Sequence, residues 1–185
     1  MSPEWLSAIA SLLTLIVVAA SAAAALIQLR HMRGANQIIA LNEIRETFDT
    51  DRFRDAIRYV YRELPRLYED PAARADLVAS PLPAQYEPAR AVANFFENVG
   101  MYVKRGVLDK NFTADMWGGI ILTSWIRMAP MIANRRRVQD APEIWRNFEY
   151  LAVICQQFRE RHPHGNYPKT VPRMPEGEIW QEAGP

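Results

Sequence analysis

The sequence holds a single cysteine, Cys155. No intramolecular disulfide can form, which excludes the small disulfide-framed secreted scaffolds and fits a reducing compartment. Net charge is also nearly absent: 22 Lys and Arg side chains stand against 21 Asp and Glu, for a formal charge of +1. Nucleic-acid recognition calls for a concentrated basic excess, so nucleic acid is excluded as the main partner. A third absence is local. Between Trp5 and Leu29 no side chain carries a charge.

That uncharged run, wound as a helix, is about 37 Å long, and a bilayer's hydrocarbon core is ~30 Å thick. A cleaved signal peptide would begin with basic residues and have an apolar core of ~7–15 residues. Here the start is Met-Ser-Pro-Glu and the run is longer, although the small residues Ser21 to Ala25 imitate a cleavage region. A buried core helix would show a polar stripe, and only Ser and Thr interrupt this one. The reading is a transmembrane anchor over residues 1–33. Glu4 precedes the run and Arg30, His31 and Arg33 follow it, so the positive-inside bias puts the N-terminus outside and the remainder in the cytoplasm. The mean hydropathy of −0.20 is what one short span diluted by a charged domain gives.

Within the anchor Ser7, Ser11, Thr14, Ser21 and Ala25 recur at helical steps, with Val18 completing the row. Small side chains let helix backbones approach and hydroxyls bond across a pair. They form a candidate packing face for another transmembrane helix.

The rest reads as an all-α bundle of about five helices over residues 34–162, then a proline-rich extended tail over 163–185. Ile38, Ile39, Leu41, Ile44 and Phe48 keep helical spacing, so the anchor either runs on as one helix or breaks near Gly34. Asp49 or Thr50 caps a helix with Phe53, Ile57, Tyr61 and Leu64 on one face, ended by Pro65. A short helix over 71–80 and a loop at Pro81 and Pro83 follow. The helix expected over 88–105 carries Val92, Phe96, Val99 and Val103, with Glu97 and Gly100 beside them. A mid-helix glycine costs ~1 kcal/mol relative to alanine, so Gly100 marks a close backbone approach. Glu97 is then partly buried and needs a donor, Arg127 or one of Arg135, Arg136 and Arg137.

The stretch 113–136 is apolar almost all round, the pattern of a helix central in a bundle or in lipid. Arg127, Gly118, Gly119 and Pro130 argue for the bundle. Asp140-Ala-Pro-Glu143 resembles a capping box that starts a last helix ending near His162.

Little here points to chemistry. His162 and His164 are two imidazoles at a helix end, short of the three or four ligands a metal needs. Cys155 lies on an apolar face and reads as core. Gly118-Gly119 lies within a helix, so it is not a phosphate loop. No cofactor and no metal are expected. Three features remain for contacts. Arg135 to Arg137 suit a helix C-terminus or, more sharply, anionic lipid or an acidic partner. Ile179 and Trp180, an apolar pair in a polar tail, suit docking. The last is the anchor row itself.

Asn94-Phe95-Phe96-Glu97, Lys104-Arg105-Gly106-Val107-Leu108, Trp125 and Asn147-Phe148-Glu149-Tyr150-Leu151 together resemble a bacterial family described as a domain of unknown function, one membrane helix with a cytoplasmic helical domain. The likeness covers roughly residues 41–161 and implies an inner-membrane, single-pass protein. It implies no activity, cofactor or substrate. It also marks Glu97 and Glu149 as recurring carboxylates, partners for Arg127 or Arg136 in a buried polar network. The function expected is a non-enzymatic accessory or interaction subunit whose partners are the lipid bilayer and other membrane protein subunits. The alternatives are a membrane-tethered sensor or effector in stress or phage defence, and an enzyme with a site around Glu97, Arg127 and Glu149.

Overall fold

The computed structural model describes residues 3–79 and 81–174, apart from the side chains of residues 4–6, 8–10 and 29–36 within the first helix. The order is α1 (Pro3–Asp49), α2 (Asp51–Leu67), α3 (Pro71–Asp76), a 3-10 turn (Ala84–Tyr86), α4 (Glu87–Lys104), α5 (Lys110–Gln139) and α6 (Arg146–Arg161). No strand occurs among the described residues, and the fold is all-α.

Local chemistry sets most helix starts. Thr50 caps α2 by accepting from the Phe53 amide at 3.3 Å. Asp70 caps α3 through the Ala72 amide at 2.8 Å, and Asp109 caps α5 through the Phe112 amide at 2.8 Å. Each oxygen occupies one of the donors that a helix N-terminus leaves without an internal partner. Asp109 lies before the expected start at Thr113, so α5 is longer than the apolar pattern alone indicates.

The first helix does not break at Gly34; it is continuous to Asp49. Its last turns enter the bundle through Ala40, Ile44 and Phe48, one face at i, i+4 and i+8. Phe48 joins an aromatic cluster, its ring 5.3 Å from Phe53, 5.2 Å from Phe95 and 5.8 Å from Trp117. Behind them Phe96 stacks on Phe148 at 5.1 Å, and Trp125 meets the Phe148 ring edge-on at 5.1 Å. The core thus sits between α4, α5 and α6, with α2 closing one side.

Two boundaries depart from the sequence expectation. Pro65 sits inside the last turn of α2, which runs on to Leu67. The final helix starts at Arg146, not at Asp140. Asp140 takes a left-handed conformation (φ 48°) and ends α5, its amide donating back to the Arg137 carbonyl. The capping box at Asp140 to Glu143 is therefore not used, because the preceding helix consumes Asp140 as its own stop.

Three tyrosines influence one another here: Tyr59 within α2, Tyr68 at its C-terminal cap and Tyr86 in the 3-10 turn. Burial, then the neighbouring Tyr86 and Glu63, push Tyr59 up from 10.0 to about 12. Burial likewise raises Tyr68 and Tyr86. Raised phenol pKa values favour the neutral form in the fold, so their contribution is complete below pH 10 and is lost as pH rises toward about 12. Helical circular dichroism should hold to about pH 10 and fall above it, with tyrosinate absorbance lagging that of the urea-unfolded chain. Coincident ionisation in the two states would refute this.

Candidate membrane interface and the polar contacts of the bundle

Among the described residues one helix segment, Ser11–Gln28, is long and apolar enough to cross a membrane; its mean hydropathy is 2.1 and none of it is buried. Leu12, Leu15, Val17 and Leu26 are 59%, 65%, 63% and 62% exposed, so apolar groups face outward around the whole circumference. Leaving such a surface in water is unfavourable, and covering it with hydrocarbon or with another apolar surface is favourable. Ser7, Ser11, Thr14, Ser21 and Ala25 all lie exposed along it. Ser21 already donates to the Val17 carbonyl of its own helix at 2.8 Å, a bond that leaves its lone pairs available to a neighbour.

Glu97, Arg127 and Glu149 do not form one network. Glu97 reaches from α4 to the start of α6, accepting from the amides of Asn147 and Phe148 at 2.9 Å each and from Asn147 Nδ2 at 2.7 Å. No arginine is needed, because the α6 N-terminus has no side-chain cap of its own and presents free N–H groups to the carboxylate. One turn earlier on α4, Asn94 Oδ1 accepts from Trp145 Nε1 at 2.8 Å. One turn later, Gly100 makes room: a Cβ there would stand 2.0 Å from the Asn147 carbonyl oxygen. The close approach inferred at Gly100 is therefore real, and its neighbour is main chain.

Arg127 serves a different purpose. Pro65 has no N–H, so the Tyr61 carbonyl one turn back lacks its helical donor. Arg127 Nη1 supplies one at 2.7 Å, and its guanidinium lies 5.2 Å over the Tyr61 ring. Tyr68 returns a bond to the Arg127 carbonyl at 3.1 Å. Glu149 pairs with Arg136 at 2.7 Å, and Arg136 Nε also donates to the Ile144 carbonyl at 2.9 Å.

The three consecutive arginines are not a surface cluster for lipid or an acidic partner. Arg135 is only 5% exposed and donates to the Leu77 and Ala79 carbonyls at the C-terminal end of α3. Arg136 is half-buried in the contacts just described. Arg137 alone is exposed, and it donates to Asn134 Oδ1 at 2.8 Å. A helix places successive residues about 100° apart, so three in a row cannot share a face. Ile179 and Trp180 lie outside the described residues.

Cys155 is buried, and burial pushes its thiol up to about 12. Gly118 faces it across the helix pair, where an added methyl group would stand 3.7 Å from Cys155 Cβ, whereas Gly119 faces open space. Among the described residues no group of three His, Cys, Asp or Glu side chains could hold a metal. A groove of about 920 Å³ runs between α2 and α4, floored by Phe53, Ala56 and Phe95 and edged by Arg52, Asp55 and Glu87.

Read from the sequence, Pro65 is a helix stop and Asn94 part of a motif; the orphaned Tyr61 carbonyl and the bond to Trp145 were not foreseen. Asn94 stands three residues before Glu97, the same-face spacing of a helix. Pro65 inside an apolar period was itself a sign of an orphaned carbonyl at Tyr61.

A family model described as Domain of unknown function (DUF4760) matches residues 15–154, from inside the apolar segment of α1 to the middle of α6. No curated protein and no solved structure matches the chain.

Two outcomes follow from these contacts. Gly100→Ala forces α6 off α4 and should destabilise the bundle by about 1–3 kcal/mol in chemical denaturation; a change within error would show that the approach is looser than described. Arg127→Ala should cost about 1–3 kcal/mol by stranding the Tyr61 carbonyl. In a Pro65→Ala background the restored amide supplies that carbonyl, so the same Arg127→Ala change should cost clearly less. Strictly additive effects in the double-mutant cycle would rule out the coupling.

Proposed function

We propose that this chain, which belongs to the family described as Domain of unknown function (DUF4760), is a membrane-anchored, non-enzymatic interaction subunit whose helical bundle stands close to the cytoplasmic face. The observation that carries the reading is α1 itself. A single helix is fully exposed and apolar over Ser11–Gln28, yet its other end is buried in the bundle through Ala40 and Ile44. A leader designed for removal has no need of helical continuity with the folded domain.

Residues 28 to 40 span about 18 Å of helix. The polar headgroup layer on one side is ~5–7 Å deep, so the bundle is held near the lipid surface without lying in it. Basic residues Arg30 and Arg33 follow the apolar segment, which supports a cytoplasmic bundle by the positive-inside bias. The small-residue row from Ser7 to Ala25 supports packing against helices of other membrane proteins. Glu97, Arg127 and Glu149, the residues from which an enzyme site would be assembled, are occupied in main-chain and ion-pair contacts. That favours a structural over a catalytic role for them.

The groove between α2 and α4 favours one second reading, a membrane-tethered sensor. Its apolar floor and charged edge suit a small amphipathic ligand.

Full-length protein should stay with membranes through an alkaline carbonate wash, at the intact mass of the uncleaved chain. A protease added to sealed, right-side-out vesicles should leave the bundle uncut. Ser11→Leu with Thr14→Leu should keep membrane insertion but reduce recovery of co-purifying membrane proteins. Release of a shortened chain into the soluble fraction would overturn the anchor. Undiminished co-purification would overturn the packing face.

A further inference from the structure

The α5 helix is apolar on nearly every side, as expected of an enclosed helix, but it is enclosed on only part of its circumference. Phe112, Met116 and Ile126 are 40%, 58% and 60% exposed. Gly119, Pro130 and Ala133 are exposed with them, and Thr123 is half-buried in the same row. These seven positions follow one another at steps of four and three, the spacing of a helix seam that meets another helix. No charged side chain belongs to the seam from Phe112 to Ala133, a length of about 32 Å.

The order of sizes along this seam inverts about its centre. An antiparallel pairing of two copies about Thr123 sets Phe112 against Ala133, Met116 against Pro130, Gly119 against Ile126 and Thr123 against itself. Each large side chain then meets a small one, the alternation that fills space between facing helices. The same register brings exposed Arg137 of one copy opposite exposed Asp109 of the other at both ends. A parallel pairing would instead stack Phe112 on Phe112, leave a void at Gly119 and oppose Arg137 with Arg137. A surface complementary to its own inverted copy is the property of a two-fold homodimer interface.

We infer that the protein forms a two-fold homodimer through the exposed face of α5, the two helices running antiparallel and crossing at Thr123. One helix pair lies near the lower limit of specific interfaces, ~1,000 Å².

The test uses the full chain in mild detergent. Native mass and sedimentation should report a dimer. Ile126→Glu, exposed in the monomer and buried in the dimer, should raise Kd by more than ~10-fold while leaving the helical circular dichroism spectrum unchanged. Cysteine cross-linking fixes the register without relying on folding energetics, because the native Cys155 is buried. Thr123→Cys should cross-link to its own copy on oxidation or with a short bismaleimide. Phe112→Cys should not cross-link to itself, but should do so to Ala133→Cys when the two are mixed. A monomer at all concentrations overturns the proposal, and so does Phe112→Cys self-cross-linking without the mixed product. A mass unaffected by Ile126→Glu would show that another surface holds the copies together and overturns it as well. A monomer that is nevertheless retained on membranes would fail the dimer while leaving the anchor standing.

Discussion

The arrangement of the bundle depends on one carboxylate and one missing methyl group. The last helix opens with Trp145 in a left-handed conformation (φ 52°) and has no side-chain cap of its own. Its first-turn amides point at α4, where water cannot serve them fully. Glu97 accepts two of them. The carboxylate also meets the positive end of the helix dipole, so the cap is electrostatic as well as a hydrogen bond. The bond is possible only if the two backbones come very near, and Gly100 permits that approach. Capping and close approach together allow one register between α4 and α6. The Phe96–Phe148 stack and the Trp145–Asn94 bond are formed in that register.

Three arginines extend the same logic to the rest of the domain. Arg127 serves a carbonyl orphaned by Pro65, Arg135 the carbonyls that follow α3, and Arg136 a carbonyl in the loop before α6. Each is a place where a helix ends or loses a bond, and where an unserved carbonyl inside the protein would cost ~1–3 kcal/mol. Arginine suits the task because its planar fork presents several donors at once and loses little freedom in doing so. Lysine, a compact and strongly hydrated charge, occurs only at positions 104, 110 and 169. The near-balance of charge in the sequence therefore hides a division of labour. Some of the basic side chains are internal struts and not a surface for partners.

Period and capping chemistry made the helices legible, as in α2, where Phe53 and Leu64 of the expected face are buried below a Thr50 cap and Ile57 and Tyr61 are half-buried. Gly100 was legible for the same reason, since a glycine in a helix interior has a cost that some contact must justify. What could not be read was the identity of partners distant in sequence. Glu97 needed a donor, and an arginine was the obvious candidate, because the free amides of a helix start are visible only once two helices are placed side by side. The Asp140-Ala-Pro-Glu143 signal misled because two helices competed for Asp140, and local spacing does not say which one takes it. Arg135 to Arg137 misled through proximity in sequence, which a helix disperses around its circumference.

The first helix carries a mechanical consequence. For a chain held in a bilayer by Ser11–Gln28, the bundle is not hung on a flexible linker. It grips the same helix at Ala40, Ile44 and Phe48. Phe48 contacts rings from α2, α4 and α5, so a rotation of the anchor about its axis turns the aromatic cluster with it. The weakest point of that shaft is Gly34, where helix propensity drops by ~1 kcal/mol relative to alanine. It lies between the end of the apolar segment and Ala40, the first buried residue among those described. A glycine placed there makes this the position at which a bend between the apolar segment and the bundle costs least.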